Sequence, residues 1–434
     1  MIHSVDTDIV VLGAGPAGLA AACAALEAGA RVLVLEREDR LGGILKQCIH
    51  DGFGLVRYHE RLSGPEYALR DVDRLERLGA QVMQEAFVSS TRRVDNGFEL
   101  TCVDRGGVFA VRALALILAT GCRERTDRQV FVQGDRPAGI YTAGLAQYMI
   151  NIQGVLPGRR AVILGSGDIG LIMARRMTLE GMDVVAAHEV KPEPSGLSRN
   201  IHQCLEDYGI PLELSSTVTA VHGTKRVERV TVASVDGSMR PIAGTEHDIP
   251  CDTLILSVGL IPENELAQSL GVPLDPATKG PFVDQTMHTL VDGIFSCGNA
   301  VHVNDLADYV SESGEHAGAS AARYVARRRD APVTGMATRT LVPVRVDQGF
   351  LYAVPQYIDT STLTDAVMYF RARRTMPSGA VVTAEAGGKT CFKASYPLVR
   401  PPEMERFVIP HDTLMGALAA RRDDEGLGLR MEAR

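Results

Sequence analysis

A strand, a glycine-rich turn and a helix follow one another twice in this 434-residue chain, and no other feature restricts its fold so tightly. In the first copy Val10-Val11-Leu12 runs into Gly13-Ala14-Gly15-Pro16-Ala17-Gly18, the spacing G-x-G-x-x-G. The second, Ala161-Val162-Ile163-Leu164-Gly165-Ser166-Gly167-Asp168-Ile169-Gly170, starts its glycines 152 residues later. In such a unit the first glycine permits a tight turn, the second lets the backbone approach a pyrophosphate, and the third lets helix and strand pack closely. The helix N-terminus, opened by Pro16 and Ala17 in one copy and Asp168 and Ile169 in the other, offers N–H donors to phosphate. Glu36 closes the next predicted strand 18 residues past Gly18, where an acid accepts hydrogen bonds from ribose hydroxyls. The same count from Gly170 reaches His188, with Glu189 one residue later. One such turn is weak evidence; two in strand–turn–helix context are specific for two dinucleotide sites.

The rest of the chain fits a mixed α/β protein with a different C-terminal texture. Strands are predicted over 8–12, 31–36, 161–164, 183–187 and 253–258, with helices over 16–28 and 169–180 and a small-residue helix before 325. Residues 326–335, with three arginines, a proline and a glycine, read as a linker. Beyond them 339–346, 350–358, 366–373, 380–385 and 389–393 read as strands, the last two joined by Gly387-Gly388 as a tight hairpin turn. That pattern predicts a small β-sandwich, and the charged stretch 421–434 a loose tail.

Composition excludes several classes. With 45% hydrophobic and 23% charged residues the chain is globular, and a net charge of −8 gives nucleic acid no footing. The arginines 327–329 read as a solvated helix end. No stretch approaches the ~20 apolar residues of a membrane span, and residues 1–8 lack the pattern of a signal peptide. The eight cysteines form no C-x-x-C pair and no metal-ligand spacing, so they read as free or buried thiols in a reducing compartment. The expected location is cytoplasmic.

Three further stretches bear on the first dinucleotide: Leu41-Gly42-Gly43, Leu116-Ile117-Leu118-Ala119-Thr120-Gly121 and Ile294-Phe295-Ser296-Cys297-Gly298-Asn299. Together with Gly13 to Gly18 they resemble the FAD signature of the glutathione-reductase-like, two-dinucleotide-binding flavoproteins, over residues 8 to about 325. Ser257-Val258-Gly259-Leu260-Ile261-Pro262-Glu263-Asn264 is similar to the segment that closes the NAD(P) domain there. The resemblance implies an α/β chain of two Rossmann-like domains, the NAD domain inserted in the FAD domain, plus a small β-rich domain. Its boundaries would be 1–125 with 285–330 for FAD, 155–280 for NAD(P), and 336–420 for the β-rich part. It assigns Gly13, Gly15, Pro16, Ala17, Gly18, Glu36, Arg37, Gly43, Ala119, Thr120, Gly121, Gly298 and Asn299 to FAD, the last two at the ribityl-phosphate arm. A helix from about Glu315 would aim its N-terminus at the flavin pyrimidine edge. Position 299 departs from the family, which usually carries Asp. Gly165, Gly167, Asp168, Ile169, Gly170, Glu189 and Gly259 fall to the second nucleotide. Glu189 favours NAD there, Arg199 would suit the 2′-phosphate of NADP, and a vestigial site stays open beside both.

Disulfide reductases of this fold place cysteines two and seven residues past the second glycine of the Gly-Gly. Here those offsets from Gly43 fall on Leu45 and His50, so no redox disulfide is expected. On the expected flavin-facing helix, His50 is a candidate acid or base and Cys48 a candidate thiol, each with packing as the alternative. Arg123 and Arg125 suit an anionic substrate or surface ion pairs. The segments 42–54, 119–125 and 135–139 are similar to bacterial flavoprotein subunits encoded with anaerobic-type glycerol-3-phosphate dehydrogenases. More distantly the layout resembles subunits of opine and hydroxyproline dehydrogenases and of hydrogen cyanide synthase. The resemblance implies a multi-subunit dehydrogenase, with homo-oligomerisation also open. Three readings follow: an FAD-dependent oxidoreductase exchanging hydride with NAD(P)H and electrons with a partner subunit or small acceptor; a flavin dehydrogenase or oxidase acting on a small amine, imino acid or polyol phosphate; and a non-catalytic nucleotide-binding scaffold.

Overall fold

The computed structural model describes residues 3–330, 339–422 and 425–434. Its chain divides into two compact units, residues 1–122 with 262–434, and residues 123–261.

The first unit is built on the strand His3–Leu12, central in a seven-stranded sheet. It pairs in parallel with Val32–Leu35 on one side and Gly107–Leu118 on the other. Ile294–Ser296 adds a parallel strand beside Leu118. Ile9, Val10 and Val11 are fully buried, as a parallel strand covered on both faces requires. The helix Pro16–Glu27 packs on the long helix Ala307–Asp330. A Cβ at Gly314 would lie 2.2 Å from Ala17 O, and one at Gly318 2.1 Å from Ala21 O, so these glycines permit the contact. The long helix thus starts eight residues before the expected Glu315, and it runs through 326–330, where the sequence predicts a linker. The remainder of that linker, 331–335, lies outside the described residues.

The predicted β-rich region forms two sheets, five-stranded and three-stranded, around Phe350, Met368, Phe370, Phe407, Val382 and Leu429. Gly387-Gly388 does turn between the strands Ala380–Ala386 and Lys389–Tyr396. The loose tail is corrected. Leu427–Ala433 is an interior strand between Leu341–Val346 and Ala380–Ala386, with Leu427, Leu429 and Met431 buried. The strand Met404–Ile409 and helix His411–Leu418 were not anticipated. This region belongs to the first unit because its backbone continues the hydrogen bonding of residues 283–285: Gln356 N reaches Val283 O (3.1 Å), and Asp359 N reaches Gln285 Oε1 (2.8 Å).

The second unit holds a five-stranded parallel sheet in the order Ile140–Thr142, Thr253–Leu256, Arg160–Leu164, Asp183–Glu189, Leu212–Leu214. A four-stranded sheet includes Gln133–Gly134. Those two early strands carry the unit back to residue 123, well before the expected 155.

Candidate functional site

Both glycine-rich turns leave the C-terminal end of a parallel strand and enter a helix. At the first, Gly13 has φ +101°, and a Cβ there would sit 2.6 Å from Ala119 O. A Cβ at Gly18 would lie 1.8 Å from Gly13 O, so the helix can approach only without one. The helix opens with Gly15 as N-cap and Pro16 and Ala17 behind it, with no side-chain cap and no acid in its first turn. Its positive end is left to an external anion. The buried Glu36 carboxylate accepts from Ala14 N (2.7 Å) and Glu38 N (2.9 Å), with Arg37 exposed between. Gly43 Cα packs 3.9 Å from where a Gly15 Cβ would be. Ala119 N bonds Leu12 O, Thr120 Oγ1 donates to Glu263 O (2.6 Å), and Gly121 O accepts from Glu263 N (3.0 Å). Gly298, with φ +63°, donates its N–H to Ser313 Oγ (2.8 Å). Asn299 Oδ1 accepts from Asn304 N (2.9 Å), and its Nδ2 points at Cys122 Sγ (3.5 Å). An open helix end, a ribose-height carboxylate and a turn that admits no Cβ fit the diphosphate and ribose of FAD.

The second turn repeats this construction. Cβ atoms at Gly165 and Gly170 would lie 2.2 Å from Ser257 O and 2.4 Å from Ser257 Cβ, and Ser257 Oγ bonds Gly170 N (3.1 Å) and Gly167 O (3.2 Å). Glu189, buried, accepts from Ser166 N (3.0 Å), Ser166 Oγ (2.5 Å) and Lys191 N (3.1 Å), the grip Glu36 has on its own turn. The extra residue in its count has a cause: pairing shifts from Ala161↔Val184 to Val162↔Ala186, a bulge of one residue. Leu164 then faces His188 as Leu12 faces Leu35, and the acid follows in register. One difference remains. Asp168 sits in the first turn of the helix Asp168–Leu179, where its Oδ1 accepts from Leu197 N (2.8 Å) and Asn200 Nδ2 (2.6 Å). Ile169 is half-buried beside it, and the exposed Gly259 accepts from Arg125 N (3.1 Å). Arg199 follows in the helix Ser198–Cys204.

Residues 44–50 are not the expected helix. Gly43–Gln47 forms a single 3-10 turn, with Cys48 and His50 in the chain beyond it. The Cys48 thiol donates to Ile44 O (3.3 Å), and burial pushes its pKa up to about 12, which keeps it protonated at neutral pH. Half-buried His50 has Nδ1 3.2 Å from Asp51 O and its ring 5.1 Å from Phe53. Six of the eight cysteines, all but Cys48 and Cys122, are buried. Arg123 and Arg125 are exposed.

Residues 7–321 match the pyridine nucleotide-disulphide oxidoreductase family. The chain belongs to this family. Members of this family are flavin-dependent oxidoreductases that use FAD with NAD(P)H. An opine oxidase subunit of Agrobacterium tumefaciens (strain Ach5) is 25% identical over 319 residues, 68% of this chain and 61% of the relative. Hydrogen cyanide synthase subunit HcnB of Pseudomonas protegens is 28% identical over 61% of this chain and 58% of its own length. The match thus spans about three fifths of these relatives, each named as a subunit. The thioredoxin reductase of T. acidophilum shares the fold, with a TM-score of 0.59, 23% identity and coverage of 75% of this chain and 99% of that one. No helix among the described residues is long and apolar enough to cross a membrane.

The partners that hold the site residues carry no signal in the sequence. Ser257 stands in the segment 257–264, where nothing marks it as the brace of the second turn. Asn304, which fixes the Asn299 side chain, stands in a stretch with no periodicity to mark it.

Proposed function

We propose that this chain transfers hydride between NAD(P)H and FAD, with NAD(H) preferred, and exchanges the electrons with a partner subunit or a small acceptor without a redox disulfide. The observation that supports it is the matched pair of carboxylates, Glu36 on Ala14 N and Glu189 on Ser166 N, each at the end of a strand beside a helix whose N-cap glycine makes no side-chain cap. Bound FAD supplies a two-electron acceptor for hydride. The chain's own part is to bind and orient. Gly15, Ala17 and Gly18 present backbone N–H groups to the FAD diphosphate, Pro16 opens the helix whose end they form, and Glu36 takes its ribose, with Arg37 at the rim. Gly43, Ala119, Thr120 and Gly121 wall the site, while Gly298 and Asn299 meet the ribityl-phosphate arm. Gly165, Gly167, Ile169 and Gly170 serve the second diphosphate, with Asp168 bracing the loop that follows Glu189 and Gly259 closing the turn. Glu189 accepts from a free 2′-hydroxyl and repels a 2′-phosphate, which selects NAD over NADP. His50 is the residue proposed to hold a proton near the flavin. Cys48 stays a protonated thiol in this reading.

The names of the opine oxidase and hydrogen cyanide synthase subunits favour a second reading, in which a small amine or imino acid reduces the flavin directly and the second site is structural; a polyol phosphate enters that reading through the sequence resemblance alone. Either way we read the chain as one member of a larger cytoplasmic dehydrogenase complex, in line with its likeness to flavoproteins encoded beside glycerol-3-phosphate dehydrogenase. Anaerobic stopped-flow titration of the purified protein separates the two. Bleaching of the flavin by NADH ahead of NADPH supports hydride transfer from NAD(H). Bleaching by octopine, sarcosine or glycerol 3-phosphate, with NADH inert, replaces it with the second.

A further inference from the structure

We propose that Arg371, carried by the C-terminal β-domain, is a positioning residue of the FAD site, and that this domain sets how tightly flavin is held. The turn 298–306 connects Gly298 and Asn299 to the long helix Ala307–Asp330. Within it Asn299 Oδ1 accepts from both Asn304 N (2.9 Å) and Asn304 Nδ2 (3.2 Å). A backbone N–H can only donate, so the oxygen of Asn299 is committed there, and its Nδ2, with one proton toward Cys122 Sγ (3.5 Å), has the second to turn toward a ligand. The orientation of Asn299 therefore depends on where Asn304 stands.

Asn304 is held by its neighbours on both sides, and Arg371 holds the neighbours. Its Nη2 donates to Val303 O (3.2 Å) and pairs with the Asp305 carboxylate. Asp305 Oδ2 also accepts from Met404 N of the same sheet (2.6 Å). The guanidinium is itself fixed by Tyr352 Oη, which accepts from Nε (2.9 Å), and by Pro402 O. One residue before Val303, buried His302 packs between the rings of Tyr352 and Tyr369, at 5.8 and 5.5 Å. Further along, Arg406 and Tyr369 grip Glu312 on the helix. A domain serving only as ballast has no reason to place a largely buried guanidinium fork on the two residues that flank Asn304. A planar fork of five donors meets a carboxylate and several carbonyls at once, which an ammonium cannot.

This inference rests on the FAD site alone. The test is made on the full-length holoprotein without any nicotinamide nucleotide, so its failure leaves the choice of reductant untouched. FAD release after dilution is followed by the recovery of flavin fluorescence, together with the visible circular dichroism of bound flavin and the melting temperature. Arg371→Met, which keeps the aliphatic stem, is expected to release FAD roughly tenfold faster and to alter the dichroism. Val382→Ala, a cavity in the opposite sheet of the same domain, is expected to lower the melting temperature with wild-type release and dichroism. Wild-type release from Arg371→Met overturns the proposal, as does equally fast release from Val382→Ala. Should Arg371→Met not fold, Asp305→Asn, which still accepts from Met404 N, carries the test: faster release supports the proposal and unchanged release ends it.

Discussion

A Cβ added at Gly15 finds its nearest neighbour, Gly43 Cα, 3.9 Å away, and the φ of −74° there suits any L-residue. At Gly18 the same atom would lie 1.8 Å from Gly13 O. Gly15 is thus free to change without cost to the fold, while Gly18 is not. Gly15→Ala should melt within about 2 °C of the parent, since a substitution without a clash shifts stability by roughly 0.5 kcal/mol or less. It should nevertheless bind FAD roughly tenfold more weakly, because the methyl fills the space a diphosphate needs. A Gly15→Ala protein as yellow as its parent would place the diphosphate elsewhere. Glu189 makes the matching case for the second site. In Glu189→Gln the amide nitrogen replaces one acceptor, so either Ser166 or Lys191 loses its partner, along with one ribose hydroxyl. A charge-assisted hydrogen bond is worth roughly 1.5–3 kcal/mol, so the Kd for NADH should rise at least about tenfold with FAD content unchanged. An unaltered NADH titration would show that Glu189 does not face a ribose.

At the scale of elements, what was legible in the chain were parts whose chemistry is local: two glycine turns, the acid at position 36 and the Gly387-Gly388 hairpin. Elements set by distant partners were not. The one-residue bulge that moves the second acid to position 189 arises from pairing of Asp183–Glu189 with Arg160–Leu164, and carries no glycine or proline to announce it. The long helix begins at Ala307 instead of near 315, since Asp308, Glu312 and Glu315 look solvent-bound until their partners arrive. Asp308 accepts from Arg57 N (2.8 Å), Glu315 from Arg57 Nη2 (2.7 Å) and Glu312 from Arg406. The terminal strand is the clearest lesson. Leu427, Leu429 and Met431 alternate at the period of a strand, but arginines and acids around them read as a tail. Leu429 is 1% exposed between two neighbouring strands, so Leu429→Ala should cost about 2–5 kcal/mol in a denaturant melt. A loss below about 0.5 kcal/mol would return this stretch to a tail.

For the whole molecule, acid is the informative stress, because both units bury neutral histidines, His188 in the second and His288 with His302 in the first. Desolvation lowers the pKa of His188 in the second unit to about 4 and that of His302 in the first to about 3, with Arg371 adding to the latter. The unfolded chain binds these protons near pH 6.5 while the folded chain refuses them. Their contribution is therefore complete above pH 6.5 and drains away as the pH falls toward those lowered values, at about 1.4 kcal/mol per pH unit for each histidine. Asp284 acts in the opposite sense. Burial raises its pKa to about 6, so the folded first unit takes up that proton early and gains stability between pH 6 and the ordinary carboxylate range. Glu405, raised to about 7 by burial and then by Glu403, adds to that gain. The first unit thus meets acid with opposing terms. In the second, the other lowered groups, Asp248 and Asp252, give way only below the ordinary carboxylate range, and His188 stands alone above it. His302→Phe keeps a ring between Tyr352 and Tyr369 and removes the refused proton. Its melting temperature, followed from pH 7 to pH 4 through flavin release, should fall less steeply than the parent's while the two curves approach each other at pH 7. Parallel curves over that range would mean that His302 carries its proton in the folded protein, and that the β-domain tolerates a charge against the flavin turn.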